Sequence, residues 1–105
     1  MAKAKKSSAV RTLEALVGEP LTLARYLRSI REGEEETQAE FSKRLGITAS
    51  HLSDIERGTK TVSVRRAVEW ADRLGYSQSL FVQLAIEAEL ESLGLNYTVK
   101  LGPAA

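Results

Sequence analysis

A chain that must start, stop and restart a helix between Thr37 and Gly58 has few folds open to it. The run Thr37-Gln-Ala-Glu40 has capping-box spacing, in which the Thr hydroxyl accepts from the amide three residues on and Glu40 reaches back. Phe41 and Leu45 then share an inward face, and Gly46 supplies a left-handed stop. Only Ile47 and Thr48 separate that stop from a second helix over Ala49–Arg57. Thr48 is its cap, Leu52 and Ile55 are its buried face, and Gly58 is its terminator.

Two short helices around a glycine-containing turn make a helix-turn-helix. Its neighbours also read as helices. Pro20 suits a first turn, Leu23, Ala24, Leu27 and Ile30 recur at helical spacing, and the helix closes near Gly33. Ser63 caps another that runs through Leu74, with Ala67, Trp70, Ala71 and Leu74 on one stripe. From Ser77 to about Leu93 the apolar residues cover more than one face, so one stripe packs on the bundle and another on something else. Beyond Gly94, Tyr97, Val99 and Leu101 alternate with Asn96, Thr98 and Lys100, the period of a half-buried strand. A lone strand must pair with another chain or lie on the surface as tail, and a twofold copy of itself is the cheapest partner. The expected architecture is therefore all-α: five helices and a C-terminal β-strand that can pair across a dimer. Residues 1–18 read as a basic arm with a short helix over Ala9–Val17, residues 19–93 as the helical domain, and residues 94–105 as strand and tail.

Composition excludes several kinds of chemistry. There is no Cys, hence no disulfide and no thiolate nucleophile, and the single His51 cannot build a histidine metal site within one chain. No cofactor, no metal and no catalytic residue are expected. Ser50, His51 and Asp54 are not a triad, because on one helix His51 projects ~100° from Ser50 and cannot sit between nucleophile and orienting acid. Glu87, Glu89 and Glu91 read as a solvated face. No apolar stretch is long enough to span a membrane and no secretory pattern opens the sequence, so a cytoplasmic location is expected.

A net charge of +1 argues against nucleic acid at first sight, but the average hides blocks. Residues 1–11 sum to +4, residues 12–36 to −3, residues 37–66 to +3 and residues 67–105 to −3. The helix-turn-helix thus lies inside a basic block.

The run from Thr37 to Gly58, with Gln38 opening the first motif helix, Gly46 in the turn and the ending Ile55-Glu-Arg-Gly58, resembles the Xre or lambda-repressor-like helix-turn-helix family. The likeness covers about residues 21–86. It implies a five-helix DNA-binding domain that binds operators as a dimer. It also implies a backbone contact for Gln38, and a partly buried ion pair between Arg31 and Glu56 that braces the first helix against the recognition helix.

In such a motif the second helix enters the major groove with its N-terminal side chains. These are Thr48, Ala49, Ser50, His51 and Asp54. Ser50 can bond several base edges, Asp54 can accept from a cytosine amino group, and His51 can meet a base or a phosphate. Each has a plainer reading as a cap or a solvent-facing residue, and the helix lacks Gln, Asn and Lys, so shape readout must carry part of any specificity. Lys43, Arg57, Lys60, Thr61 and Arg65 are candidate phosphate contacts. Glu34-Glu-Glu36 can favour the dipole of the next helix but penalises DNA passing close by. Val82, Ile86, Leu90, Leu93, Tyr97, Val99 and Leu101 form the expected dimer interface.

The resulting expectation is a transcriptional repressor that binds double-stranded operator DNA as a homodimer. The alternative is an antitoxin that also binds a cognate toxin protein. A protein-only adaptor that has lost DNA binding is the third reading.

Overall fold

The computed structural model describes residues 20–104, which form five helices: α1 (Leu23–Gly33), α2 (Gln38–Leu45), α3 (Ala49–Glu56), α4 (Val64–Leu74) and α5 (Gln78–Ser92). The expected arm over residues 1–18 and its short helix lie outside the described residues. Side-chain oxygens set every helix start. Thr37 and Glu40 form a complete capping box, with Glu40 N donating to Thr37 Oγ1 at 3.1 Å and Thr37 N to Glu40 Oε1 at 2.9 Å. Thr48, Ser63 and Ser77 cap α3, α4 and α5. At α1 the cap is Thr22, which accepts from Arg25 N, so Pro20 stands before the helix and not in its first turn. A proline followed by a competent cap two residues on yields to the side chain that satisfies an amide.

Two left-handed glycines close helices where the sequence must turn at once. Gly46 (φ 75°) follows α2 and Gly75 (φ 76°) follows α4. In each, the next residue's amide reaches back: Ile47 N to Ser42 O at 3.0 Å, and Tyr76 N to Ala71 O at 2.9 Å. The end of α1 is different, since the left-handed residue there is Glu35 (φ 56°) and not Gly33.

α4 lies along α5 and α2 against α3, while α1 touches both α3 and α5 and α2 touches α4. The core is correspondingly continuous. Leu27 of α1, Phe41 and Leu45 of α2, Leu52 and Ile55 of α3, Trp70 of α4 and Phe81 of α5 are buried together. Trp70 belongs to this core, and its indole N–H donates to Leu45 O at 3.0 Å, so the largest side chain carries no unmet polar atom.

The C-terminal strand expectation is overturned: residues 95–104 form no strand, and the described residues contain none. Gly94 (φ 79°) turns the chain back on α5, where Leu95 N donates to Leu90 O at 2.9 Å. Further on, Val99 N donates to Glu87 Oε2 at 2.8 Å. A carboxylate on the last helix thus satisfies a backbone donor for which a second strand was expected. The alternation of Tyr97, Val99 and Leu101 remains only as a half-buried Val99 between exposed neighbours.

Candidate nucleic-acid interface

The turn between α2 and α3 sets the geometry of the candidate site. Thr48 is both the end of the turn and the cap of α3, with His51 N donating to Thr48 Oγ1 at 3.0 Å. Its hydroxyl is therefore engaged in holding the helix start. Leu52 and Ile55 anchor α3 in the core, which leaves Ser50 exposed and Ala49, His51 and Asp54 half-buried on the outer side.

Asp54 has a partner within its own helix end. Its Oδ1 receives Arg57 Nη2 at 2.5 Å, while Arg57 Nη1 donates to Ser53 Oγ at 3.3 Å. The acid and the base, read separately from the sequence as a base contact and a phosphate contact, are here one pair. Lys43, Lys60 and Arg65 are exposed and form no salt bridge among the described residues. Arg57, Lys60 and Thr61 line a cleft of about 330 Å³ together with Arg25 at the start of α1.

Glu56 at the end of α3 organises the base of the interface. Its carboxylate receives Arg31 Nε at 2.8 Å and Nη2 at 3.0 Å, and Oε1 also accepts from Gln38 Nε2 at 3.0 Å. The Glu56 hydrogen bond is the main reason the Arg31 guanidinium is held above its ordinary basicity. Arg31 Nη1 donates to Glu36 O at 3.0 Å, so one side chain ties α1 to the entry of α2 and the exit of α3. Nothing in the sequence signals the bond from Gln38 to Glu56. It leaves the half-buried Gln38 with one side-chain N–H and its carbonyl oxygen for other partners.

The acidic run before α2 is not a loose anionic patch. Arg44, from the last turn of α2, meets Glu34 and bonds Glu36 Oε2 at 2.8 Å. The hydrogen bond to Glu34 is the leading cause that raises the Arg44 guanidinium. Tyr76 O–H also approaches Glu34 Oε2 at 3.4 Å. Arg44 and Glu34 stand ten residues apart, and the turn of the chain into α2 brings them together.

No helix of the described residues is long and apolar enough to cross a membrane, and no cluster of His, Asp or Glu among them could hold a metal ion. Of the expected dimer-interface residues, Val82, Ile86, Leu90 and Val99 are half-buried and Leu93, Tyr97 and Leu101 are exposed.

Neither curated proteins nor solved structures gave a match to the chain. A family profile described as helix-turn-helix does match, over residues 27–79, just over half the chain and including α2, the turn and α3. The chain belongs to the helix-turn-helix family, of the Xre and lambda-repressor-like kind, whose members are DNA-binding transcriptional regulators and generally not enzymes.

Proposed function

We propose that this protein is a cytoplasmic repressor that binds a palindromic operator as a homodimer. The observation that carries the reading is an outward face of α3, headed by Thr48 and Ser50, flanked by the uncommitted cations Lys43, Lys60 and Arg65. In this reading Ser50 and His51 meet base edges, and Gln38, Lys43, Lys60, Thr61 and Arg65 meet phosphates. Asp54 and Arg57, already paired, act on DNA only by exchanging partners. Ala49 offers a methyl for contact with thymine.

Residues 19–93 serve as the DNA-binding domain. The second copy docks through Val82, Ile86, Leu90 and Leu93 of α5, with Tyr97, Val99 and Leu101 of the tail beside them. Two α3 helices on one side of the duplex then contact half-sites roughly 34 Å apart.

The test is a gel-shift titration with an operator selected from a random-sequence pool. Ser50→Arg combined with Gln38→Ala should abolish specific binding, and unchanged affinity would remove this surface from the mechanism. Sedimentation of the intact protein checks the dimer, which a monomer at micromolar concentration sinks.

The exposed apolar tail, with Leu93 65% and Tyr97 66% accessible, favours a second reading as an antitoxin whose tail contacts a toxin. A small protein encoded next to this one and co-purifying with it would support that reading.

A further inference from the structure

Gln38 is the first residue of α2, and the pair formed by Arg31 and Glu56 reaches it from two directions. Arg31 Nη1 donates to Glu36 O at 3.0 Å, which fixes the backbone two residues before Gln38. Glu56 Oε1 accepts from Gln38 Nε2 at 3.0 Å, which fixes the side chain. The acceptor also decides which way the amide faces. Turned over, the same amide would set its carbonyl oxygen against a carboxylate oxygen, two acceptors with no proton between them. One N–H is therefore held, while the second N–H and the carbonyl oxygen stay outside the pair. A carboxylate beside a DNA phosphate would ordinarily repel it. Glu56 does not stand alone, because Arg31 bonds both of its oxygens and its side chain is only 4% exposed.

We propose that Glu56 is a positioning residue for DNA binding: it holds the Gln38 amide so that the remaining N–H donates to one backbone phosphate, and Arg31 cancels the charge that would oppose this contact. The inference rests on the operator-binding reading and deepens it by giving a role to a residue that itself touches no DNA. Because the amide is ordered in the free protein, its rotamer freedom is lost on folding and not on binding. The carboxylate that braces α1 against α3 thus also aims the side chain at the head of α2.

Arg31→Met combined with Glu56→Leu separates bracing from aiming, since it removes the acceptor without leaving a buried charge. Affinity for the selected operator is measured for the intact protein, for this double variant, for Gln38→Ala and for all three changes together. Gln38→Ala should weaken binding about tenfold per half-site, as loss of a hydrogen bond to a charged group does. The double variant should lose about fivefold per half-site, because Gln38 must then be ordered on binding. In that background Gln38→Ala should cost only about twofold more. Arg31→Met with Glu56→Gln, which restores an uncharged acceptor, should recover most of the loss. The single indole signal of Trp70 reports an intact core in each variant. A methylphosphonate placed at each linkage in turn reads the phosphate itself: at one position per half-site it should erase the effects of Gln38→Ala and of the double variant alike. Without DNA, nitrogen relaxation should show the Gln38 side-chain amide ordered in the intact protein and mobile in the double variant. Losses that multiply independently, or an amide equally mobile in both proteins, overturn the assignment while specific binding by the intact protein leaves the operator reading standing. An ordered amide in a protein that binds no duplex of the pool removes the operator reading, and this role with it.

Discussion

Arg31 and Glu56 are joined by a bidentate pair across α1 and α3, with their side chains only 13% and 4% exposed. Removing one partner strands the other charge away from water. Glu56→Ala is expected to destabilise the fold by about 3 kcal/mol, whereas Arg31→Met with Glu56→Leu should recover most of that loss. Urea unfolding of Glu56→Ala, of the single variants Arg31→Met and Glu56→Leu, and of their combination checks this. Independent, additive losses would show that the pair contributes nothing as a unit.

Gly46 and Gly75 share the same left-handed backbone but differ in their surroundings. A Cβ at Gly46 would meet Arg73 Nη1 at 2.9 Å, while one at Gly75 meets nothing within 4 Å. The near atom is the tip of a flexible side chain, so backbone conformation should decide both cases. Gly46→Ala and Gly75→Ala should each cost about 1–2 kcal/mol. Adding Arg73→Ala to Gly46→Ala should change the denaturation midpoint little. A large rescue would mean that the contact, and not φ, sets the cost.

Tyr26, Tyr76 and Phe81 form an aromatic cluster with centroids 5.5 to 6.5 Å apart. Burial raises the Tyr26 phenol first and its neighbour Tyr76 adds to the effect; Tyr76 is raised by burial and then by Glu34. A phenol raised on folding favours the native state fully below its unfolded value of about 10, and that contribution disappears as pH rises through the folded value. Stability should therefore fall with pH above about 10, and Tyr26→Phe should flatten the fall. Midpoints measured alongside phenolate absorbance test the sign. A rise in stability over this window would be incompatible with it.

Salt dependence separates committed from uncommitted cations. If Lys60 and Arg65 each neutralise a phosphate, Lys60→Ala or Arg65→Ala should lower the slope of log K against log salt by about one per contact, hence about two in a dimer. Arg57→Ala should change it far less, because Asp54 already neutralises Arg57. Asp54→Asn, which releases Arg57, should steepen the slope and raise binding to unrelated sequences. Equal slopes for all four variants would remove these side chains from the phosphate contacts.

Much of the fold was legible because its signals are local. Thr37, Thr48, Ser63 and Ser77 cap the helices their spacing implies, Gly46 and Gly75 end theirs, and the stripes through Leu27, Phe41, Leu52 and Trp70 are buried. What stayed hidden depends on side chains meeting across helices. The grip of Arg44 on Glu34 and Glu36, and the bond from Gln38 to Glu56, follow from crossings that no periodicity encodes. The pairing of Asp54 with Arg57 was available from their spacing of three, a reach typical of helical neighbours. The tail misled because alternation of apolar and polar residues also fits a segment laid over a helix whose carboxylate takes its amide.

The turn between α2 and α3 is fastened twice on its α2 side. Ile47 N is bonded to Ser42 O, and the carbonyl just before Gly46 is held by the indole of Trp70 from a third helix. A reading head mounted in this way has no hinge of its own. In the proposed dimer on its operator, any misfit with a duplex would be absorbed by the DNA or by the seam between subunits, so half-site spacing and duplex stiffness would become quantities the protein measures without touching the bases concerned.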